Sequence, residues 1–337
     1  MDIKETVISL SQLKGASGYE ISAAEKVHEM FSKYCPKYEI VGQDNYVEYF
    51  GEYDENLPLL VIDAHIDQVG MIVTYVTDDG FVKVSNIGGL DRRLLPAQPV
   101  VIHGKKDIKG VICSVPPHLT SGGTEVLSWE DVSIDTGMTK DELEKYISLG
   151  DSVTYDVKCR ELLGNRLTGA SLDDRCGIAS ILLAFDMLKG KKLKYNVAAV
   201  LATQEELGER GAKICAYAVN PDIAIAVDVS FAYAIGEDER KCGKLGHGAM
   251  IGISPSLSRE ISENLINTAK KNNIPFQIEV MEGLTSTNAD RYSVSRGGVK
   301  TCTVSIPLRN MHTPVEVIDL KDIELTAELL ADFIKED

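Results

Sequence analysis

The sequence predicts an α/β fold in which a small all-β unit interrupts a sheet covered by helices. The apolar strands are nearly continuous in Val, Ile, Leu and Ala, as a sheet with helices on both faces requires. Segments of helical periodicity separate these strands. Between about residues 71 and 162 the apolar spacing becomes short and alternating, which is typical of an all-β unit. With 337 residues, 44% of them hydrophobic, the chain is long enough for one large domain or two.

Two helices and a buried strand are predicted at the start of the chain. Apolar residues recur at three- and four-residue spacing over 5–15 and 19–35, which predicts a helix in each segment. The apolar run 57–64 predicts the first buried strand. We assign residues 1–70 to the helix-covered domain.

The predicted insert covers residues 71–162. Turn-bounded apolar segments predict its strands, which are 71–76, 81–87, 99–104, 109–115 and 151–157. Thr139 and Glu142 have the spacing of a capping box and predict one short helix. We therefore predict a β-barrel in this insert.

Helices and strands alternate again over residues 163–337, which we assign with 1–70 to a single discontinuous domain. The predicted helices are 171–190, 208–219, about 257–271 and 318–335. The predicted strands are 196–203, 222–229, 276–281 and 300–307.

Charge and composition exclude two classes of partner. Lys and Arg total 35 against 51 Asp and Glu, a formal charge of −16, whereas nucleic acids and anionic membranes need a cationic surface. The first residues lack the apolar core of a signal peptide, and no apolar run is long enough for a membrane span. The seven cysteines are scattered, without a C-x-x-C pair. We therefore expect a cytoplasmic protein with reduced thiols.

Side chains that bind metals stand at or just beyond the ends of four predicted apolar runs. In chain order they are His65 and Asp67, Glu205 and Glu206, Asp228, and His312. Asp173 and Asp174 open a predicted helix, and strand positions alone do not choose between them. Because open α/β sheets place their sites at the carboxyl ends of their strands, we expect all these side chains to meet at one edge.

Two imidazoles with three or four carboxylates form a ligand set for two divalent ions of the zinc or cobalt type, with one carboxylate bridging them. Two ions about 4 Å apart can hold a hydroxide between them and polarise a carbonyl, which suits amide hydrolysis. Glu205 would serve as the general base, and Asp67 would accept the other ring N–H of His65.

Each of these motifs is weak on its own. A His-x-Asp motif is common, paired Asp residues often cap helices, and paired Glu residues are usually solvated. Chance is an improbable reason for ligand side chains to stand at four separate strand ends. The combination therefore favours a metal site.

Five motifs in order resemble those of the tetrahedral aminopeptidases, the dinuclear metallopeptidases that include glutamyl aminopeptidases and proteins once labelled cellulase M. The motifs are DAHIDQVG (63–70), ASLDDRCG (170–177), TQEELGERGA (203–212), AIAVDVS (224–230) and NMHTPVEV (310–317). The segment 94–119 is similar to that family's barrel signature ending in Pro-Pro-His. The resemblance extends over nearly the whole chain.

The resemblance implies two divalent ions per subunit, zinc or cobalt, with manganese as a third option. The implied metal ligands are His65, Asp173, Glu206, Asp228 and His312. Asp173 would bridge the ions, Glu205 would be the general base, and Asp67 would be the carboxylate behind His65.

The resemblance also implies a fold and an assembly. The fold is a three-layer, sandwich-like zinc-peptidase domain with an inserted PDZ-like barrel that promotes oligomerisation. The assembly is a homo-oligomer, commonly a tetrahedral dodecamer whose sites face an inner cavity. The expected function is removal of N-terminal residues from short peptides by a bridging metal-bound hydroxide.

Three positions depart from the family pattern. Gln68 and Asn288 replace acidic residues, and Ala97 replaces a glycine. None of them is a predicted ligand, so we expect the metal site to persist. The sequence does not indicate which N-terminal residue is preferred.

Two other functions compete with this interpretation. Glu205 and Glu206 are paired carboxylates, as in an endoglucanase-type glycoside hydrolase, but adjacent residues on an extended strand point to opposite faces and the histidines would have no role. A non-catalytic scaffold that keeps the fold is the second alternative, motivated by Gln68 and Asn288.

Overall fold

An eight-stranded sheet forms the centre of the larger unit in a computed structural model, which describes residues 1–116, 118 and 126–336. In spatial order its strands are β1 (Lys37–Val41), β2 (Asn45–Phe50), β12 (Asn196–Ala202), β3 (Leu59–His65), β13 (Ile223–Phe231), β16 (Lys300–Leu308), β14 (Met250–Ile253) and β15 (Gln277–Val280). The four central strands β12, β3, β13 and β16 are parallel, so their carboxyl ends lie at the same edge.

Helices cover both faces of this sheet. One face packs against α1 (Ile3–Ser11), α2 (Ile21–Phe31), α4 (Leu172–Leu188), α6 (Arg259–Asn272) and α8 (Leu320–Ile334). The other face packs against α5 (Arg210–Val219) and the short α7 (Ala289–Ser293). Ile62 and Ala64 face the first layer and Val61 faces the second, as strand alternation requires. The predicted three-layer α/β sandwich is confirmed.

The smaller unit is a closed antiparallel barrel with its own core. Its strands are β4 (Gly70–Val76), β5 (Val82–Ile87), β6 (Pro99–His103), β7 (Asp107–Ile112), β8 (Ser133–Asp135) and β9 (Ser152–Tyr155). They close in the order β4-β5-β8-β7-β6-β9 around buried side chains such as Met71, Val82 and Ile102. The helix α3 (Lys140–Leu143) begins with the predicted capping box, where the Glu142 carboxylate accepts from the Thr139 N–H. A barrel was predicted, and the structure confirms it.

A small third sheet combines two strands that follow the barrel in the chain with one strand from the C-terminal segment. It contains β10 (Arg160–Glu161), β11 (Arg166–Gly169) and β17 (Glu316–Asp319), all antiparallel. Because β17 follows the last long strand of the large sheet, this sheet joins the chain leaving the barrel to the C-terminal segment.

Several elements were not predicted from the sequence. These are β1, β2, β8, β10, β11, β14, β17 and α7. β1 alternates polar and apolar side chains over only a few residues and is largely exposed, so its alternation does not mark a buried face. Of the Pro-Pro-His segment, residues 117 and 119 lie outside the described residues.

In the part of the chain that the structure describes, no helix is both long and apolar enough to cross a membrane. All seven cysteines carry free thiols.

Candidate metal centre

The side chains predicted to bind metal lie around one cavity at the carboxyl edge of the central strands. This central cavity has a volume of about 280 Å³. Its ionisable wall consists of His65, Asp173, Glu205, Glu206, Asp228 and His312. Its remaining wall consists of Val229, Ser230, Phe231, Thr285, Ser286, Thr287 and Met311. The structure therefore brings together every predicted site residue except Asp67, which lies behind the wall.

Asp173 lies between the two histidines. Its Oδ1 is 3.0 Å from His65 Nε2, and its Oδ2 is 3.3 Å from His312 Nε2. Asp228 Oδ1 lies 3.9 Å from His65 Nε2, and Glu206 Oε1 lies 3.2 Å from His312 Nε2. Each oxygen of Asp173 thus faces one imidazole, and each imidazole has a further carboxylate beside it.

Asp174 also lies close to this cluster. Two sets of three side chains bring ligand atoms within 4.8 Å of one another, namely His65, Asp173 and Glu206, and His65, Asp174 and Asp228. Asp174 is fully buried, and its Oδ2 has no hydrogen-bond partner. Proximity alone therefore does not choose between the two aspartates; Asp173 is distinguished by its place between the imidazoles.

The start of α4 is irregular where it supplies Asp173. Ser171 has a left-handed φ of 61°, and the peptide bond between Asp173 and Asp174 is cis. Glu316 Oε2 accepts hydrogen bonds from Leu172 N at 2.7 Å and from Asp173 N at 3.3 Å. Its Oε1 accepts from His312 N at 3.0 Å. Glu316 consequently fixes the backbones of two predicted ligands.

Burial and mutual repulsion shift the ionisation of this cluster. Burial raises the pKa of Glu205 to about 10 and that of Asp228 to about 8, although the His65 charge lowers both. Burial lowers the pKa of His312, but hydrogen bonds with carboxylates outweigh it and raise that pKa to about 11. Hydrogen bonds with both imidazoles overcome burial and hold the pKa of Asp173 below its ordinary value. A site with more buried carboxylates than cationic side chains fits bound divalent cations, which would offset the excess charge.

The turn after β12 places Glu205 and Glu206 in the same cavity. Gln204 has a left-handed φ of 54°, so strand alternation ends before the two glutamates. Asp67 accepts hydrogen bonds from Glu205 N at 3.0 Å and from Glu206 N at 3.1 Å. The expectation that these two glutamates point to opposite faces of a strand is therefore wrong.

Asp67 contacts His65 differently from the prediction. The His65 Nδ1 atom lies 3.0 Å from the Asp67 carbonyl oxygen and 3.6 Å from its carboxylate. The main-chain oxygen is therefore the acceptor that fixes the ring, whereas the carboxylate anchors the turn that carries Glu205.

Several residues that support the site were missed. Glu20 Oε1 accepts from Gln204 N at 2.9 Å, and its carboxylate is buried with that of Asp67 near the buried Arg175. His312 Nδ1 lies 2.8 Å from the carbonyl oxygen of Gly89, which lies between two barrel strands. Glu316 stands within a recognised motif, so its position was available from the sequence; no local pattern indicates Gly89 or Glu20.

The three residues that depart from the family pattern lie outside the central cavity. The Asn288 side chain donates to Asp63, which also accepts from Tyr292 Oη at 2.8 Å. Ala97 has a φ of 66°, a conformation that favours glycine. Gln68 is buried, and its backbone pairs with residues 15–17. Of the three departures, none lines the central cavity.

Comparison with known proteins assigns this site to a family. A lysyl aminopeptidase of Pyrococcus furiosus is 29% identical over 98% of this chain and 96% of its own length. An aminopeptidase structure from Desulfurococcus kamchatkensis superposes with a TM-score of 0.93 at 34% identity, covering 99% of this chain and 95% of that one. The Pyrococcus horikoshii TET1 peptidase, which can assemble into a tetrahedron or a large octahedral shell, superposes with a TM-score of 0.86 at 28% identity, covering 100% of both chains.

The family profile described as M42 glutamyl aminopeptidase matches residues 48–329, most of the chain. This span contains the five motifs and every side chain of the central cavity. The chain therefore belongs to the M42 glutamyl aminopeptidase family and is a metal-dependent aminopeptidase.

Proposed function

We propose that His65, Asp173, Glu206, Asp228 and His312 hold two divalent cations, with Asp173 between them. The observation that carries the proposal is the position of Asp173, whose two oxygens face different imidazoles at 3.0 and 3.3 Å. Asp228 beside His65 and Glu206 beside His312 complete two ligand groups. Imidazole and carboxylate donors favour zinc or cobalt, with manganese as the third option.

Cations bound there would polarise the scissile carbonyl and lower the pKa of an attacking water. Glu205 would accept the proton of that water and transfer it to the leaving amine. Its placement supports this role, because it lines the central cavity and pairs with neither histidine. Asp67 would act as a positioning residue, since it holds the Glu205 backbone N–H and, through its carbonyl, the His65 ring.

Metal analysis tests the two-cation proposal. The protein is stripped with a chelator, reloaded separately with zinc, cobalt and manganese, and analysed by mass spectrometry for metal content. We expect two ions per chain, and hydrolysis of short peptides from the N-terminus should return with them. A metal content of one ion or none in the active, metal-replete protein would contradict the proposal.

We also propose a homo-oligomer, a dodecamer, organised by a barrel domain spanning residues 71–162, with residues 1–70 and 163–337 as the catalytic domain. The assembly of the Pyrococcus horikoshii TET1 peptidase supports it. Exposed apolar side chains on the barrel, such as Tyr75, Val111 and Leu149, support an interface there. Light scattering should give the mass of twelve 36.8 kDa chains, and a monomer at micromolar concentration would contradict it.

A cytoplasmic location completes the proposal, supported by the free thiols of all seven cysteines. Short peptides would be the substrates, with no nucleic acid or membrane partner.

The two alternative functions are not favoured. Glu205 and Glu206 do share one cavity, but His65 and His312 flank it as well, and a glycoside hydrolase with two carboxylates needs no imidazole. A scaffold without catalysis needs no preserved ligand set, whereas Gln68 and Asn288 leave the predicted ligands unchanged.

A further inference from the structure

A carboxylate lies behind one wall of the central cavity. Glu279 on the edge strand β15 accepts hydrogen bonds from the hydroxyls of Ser230 and Ser305, the latter at 2.8 Å. Ser230 itself lines the cavity. The Ser230 hydroxyl therefore lies between the Glu279 carboxylate and a molecule bound in the cavity.

The Glu279 side chain reaches this wall across the neighbouring strands of the sheet. Glu279 is paired with Gly252 on β14, and its side chain extends past that strand to Ser305 on β16 and Ser230 on β13. A Cβ atom at residue 252 would lie 2.0 Å from Thr303 Oγ1. That hydroxyl is buried and has no hydrogen-bond partner. A row of polar groups thus runs under the cavity wall at a place where buried sheets are usually apolar.

Glu279 has no counter-charge in this setting. No lysine, arginine or histidine of the described residues forms an ion pair with it, and none among its electrostatic neighbours is cationic. The cavity residues outside the metal centre, among them Ser230, Phe231 and Met311, are neutral. The carboxylates of the metal centre would be offset by their cations, whereas Glu279 has the hydroxyls of Ser230 and Ser305 as its partners, and burial raises its pKa. A cation close to this carboxylate would favour its ionised form.

The dimensions fit a long side chain. Asp228 and Ser230 lie two residues apart on β13 and project from the same face, about 6.7 Å apart, which is close to the length of an extended lysine side chain. Phe231 and Met311 offer apolar surface for the methylene groups of such a side chain.

We propose that Glu279, acting with Ser230 and Ser305, selects peptides whose N-terminal residue is basic, lysine or arginine. The proposal rests on the aminopeptidase reaction and the metal centre described above. The terminal residue's amide is cleaved beside Asp228, and its cationic end lies near Ser230 and the carboxylate behind it.

A comparison of two substrates tests this selection in the unmodified enzyme. Lysyl and norleucyl derivatives of a fluorogenic amine have side chains of nearly the same length, and only lysine carries a charge. We expect kcat/KM for the lysyl substrate to exceed that for the norleucyl one by at least about tenfold, as for a partly buried pair of opposite charges. A ratio of one or less would overturn the proposal.

The isosteric variant Glu279→Gln assigns the preference to this residue. It should reduce the ratio of kcat/KM for the lysyl substrate to that for the norleucyl substrate to near one, because the loss should be much larger for the charged side chain. Glu282→Gln, which removes the same charge from an exposed position on the same segment, should leave the ratio intact. Equal loss of both substrates in Glu279→Gln, or an unchanged ratio, would contradict the role of Glu279.

Different results would overturn the aminopeptidase function and the preference for a basic residue. Absence of hydrolysis of every aminoacyl substrate by the metal-loaded enzyme would overturn the proposed function itself. Hydrolysis without preference for a basic residue would overturn the pocket alone.

Discussion

Replacement of Glu205 by glutamine isolates the proton-transfer role of that residue. The amide has nearly the shape of the carboxylate but cannot accept a proton from water. The backbone N–H of residue 205 would still donate to Asp67 at 3.0 Å, so the turn after β12 should keep its position. We therefore expect Glu205→Gln to bind two cations and peptide normally while losing most of its turnover.

The expected loss of kcat is that of a general base, because Glu205 lines the cavity without lying beside an imidazole. The side chain lines the central cavity, but the imidazole nitrogens lie beside Asp173, Asp228 and Glu206 instead. Removing a general base typically costs about 10² to 10⁴ in rate, which corresponds to roughly 3 to 5 kcal/mol in the barrier. Because the substrate contacts remain, we expect this loss in kcat with KM changed by less than about threefold.

The assay measures steady-state hydrolysis of aminoacyl substrates and metal content on the same preparation. The control is Glu282→Gln, which removes an exposed carboxylate and should retain full activity. Near-normal turnover in Glu205→Gln would refute the general-base role. Loss of a cation together with activity would show instead that Glu205 is a ligand.

Two further predictions concern supporting residues. Glu316→Gln leaves three backbone N–H groups with a single acceptor oxygen, so metal affinity in chelator competition should fall about 10- to 100-fold, and an unchanged affinity would contradict a positioning role. Burial raises the pKa of Asp322 to about 6, so the stability that its protonation provides is complete below pH 3.8 and is lost as the pH rises through 6. In urea unfolding, the free energy of unfolding of the wild type should fall by about 2 kcal/mol relative to that of Asp322→Asn between pH 4 and 7. A difference between the two proteins that does not change with pH would contradict this.

The part of the site that could be predicted from the sequence lies at the carboxyl ends of the parallel strands. His65, Asp228 and His312 could be placed together because they lie near or beyond the carboxyl ends of parallel strands whose apolar runs are visible in the sequence. Asp173 could not be separated from Asp174 in this way, since their difference arises from the irregular start of α4 and from the position of two distant imidazoles.

The unpredicted part depends on backbone geometry and distant contacts. The left-handed Gln204 redirects Glu205 and Glu206, and nothing in their neighbouring residues marks that conformation. Glu279 lies on a four-residue edge strand, and its importance arises from Ser230 and Ser305, which are 49 and 26 residues away. Short exposed elements such as β1 span too few residues for their periodicity to stand out in the sequence.

The hydrogen bond between His312 and Gly89 limits how this architecture can diversify. The Gly89 carbonyl, which orients the His312 ring, belongs to a loop between two strands of the barrel. The barrel therefore cannot be exchanged without affecting this candidate ligand. A homologous barrel grafted onto this chain must reproduce that loop to within a few tenths of an ångström, because a hydrogen bond weakens steeply outside its narrow geometry. A new assembly surface on the barrel is therefore compatible with the metal centre only if the loop carrying Gly89 keeps its position beside the His312 imidazole.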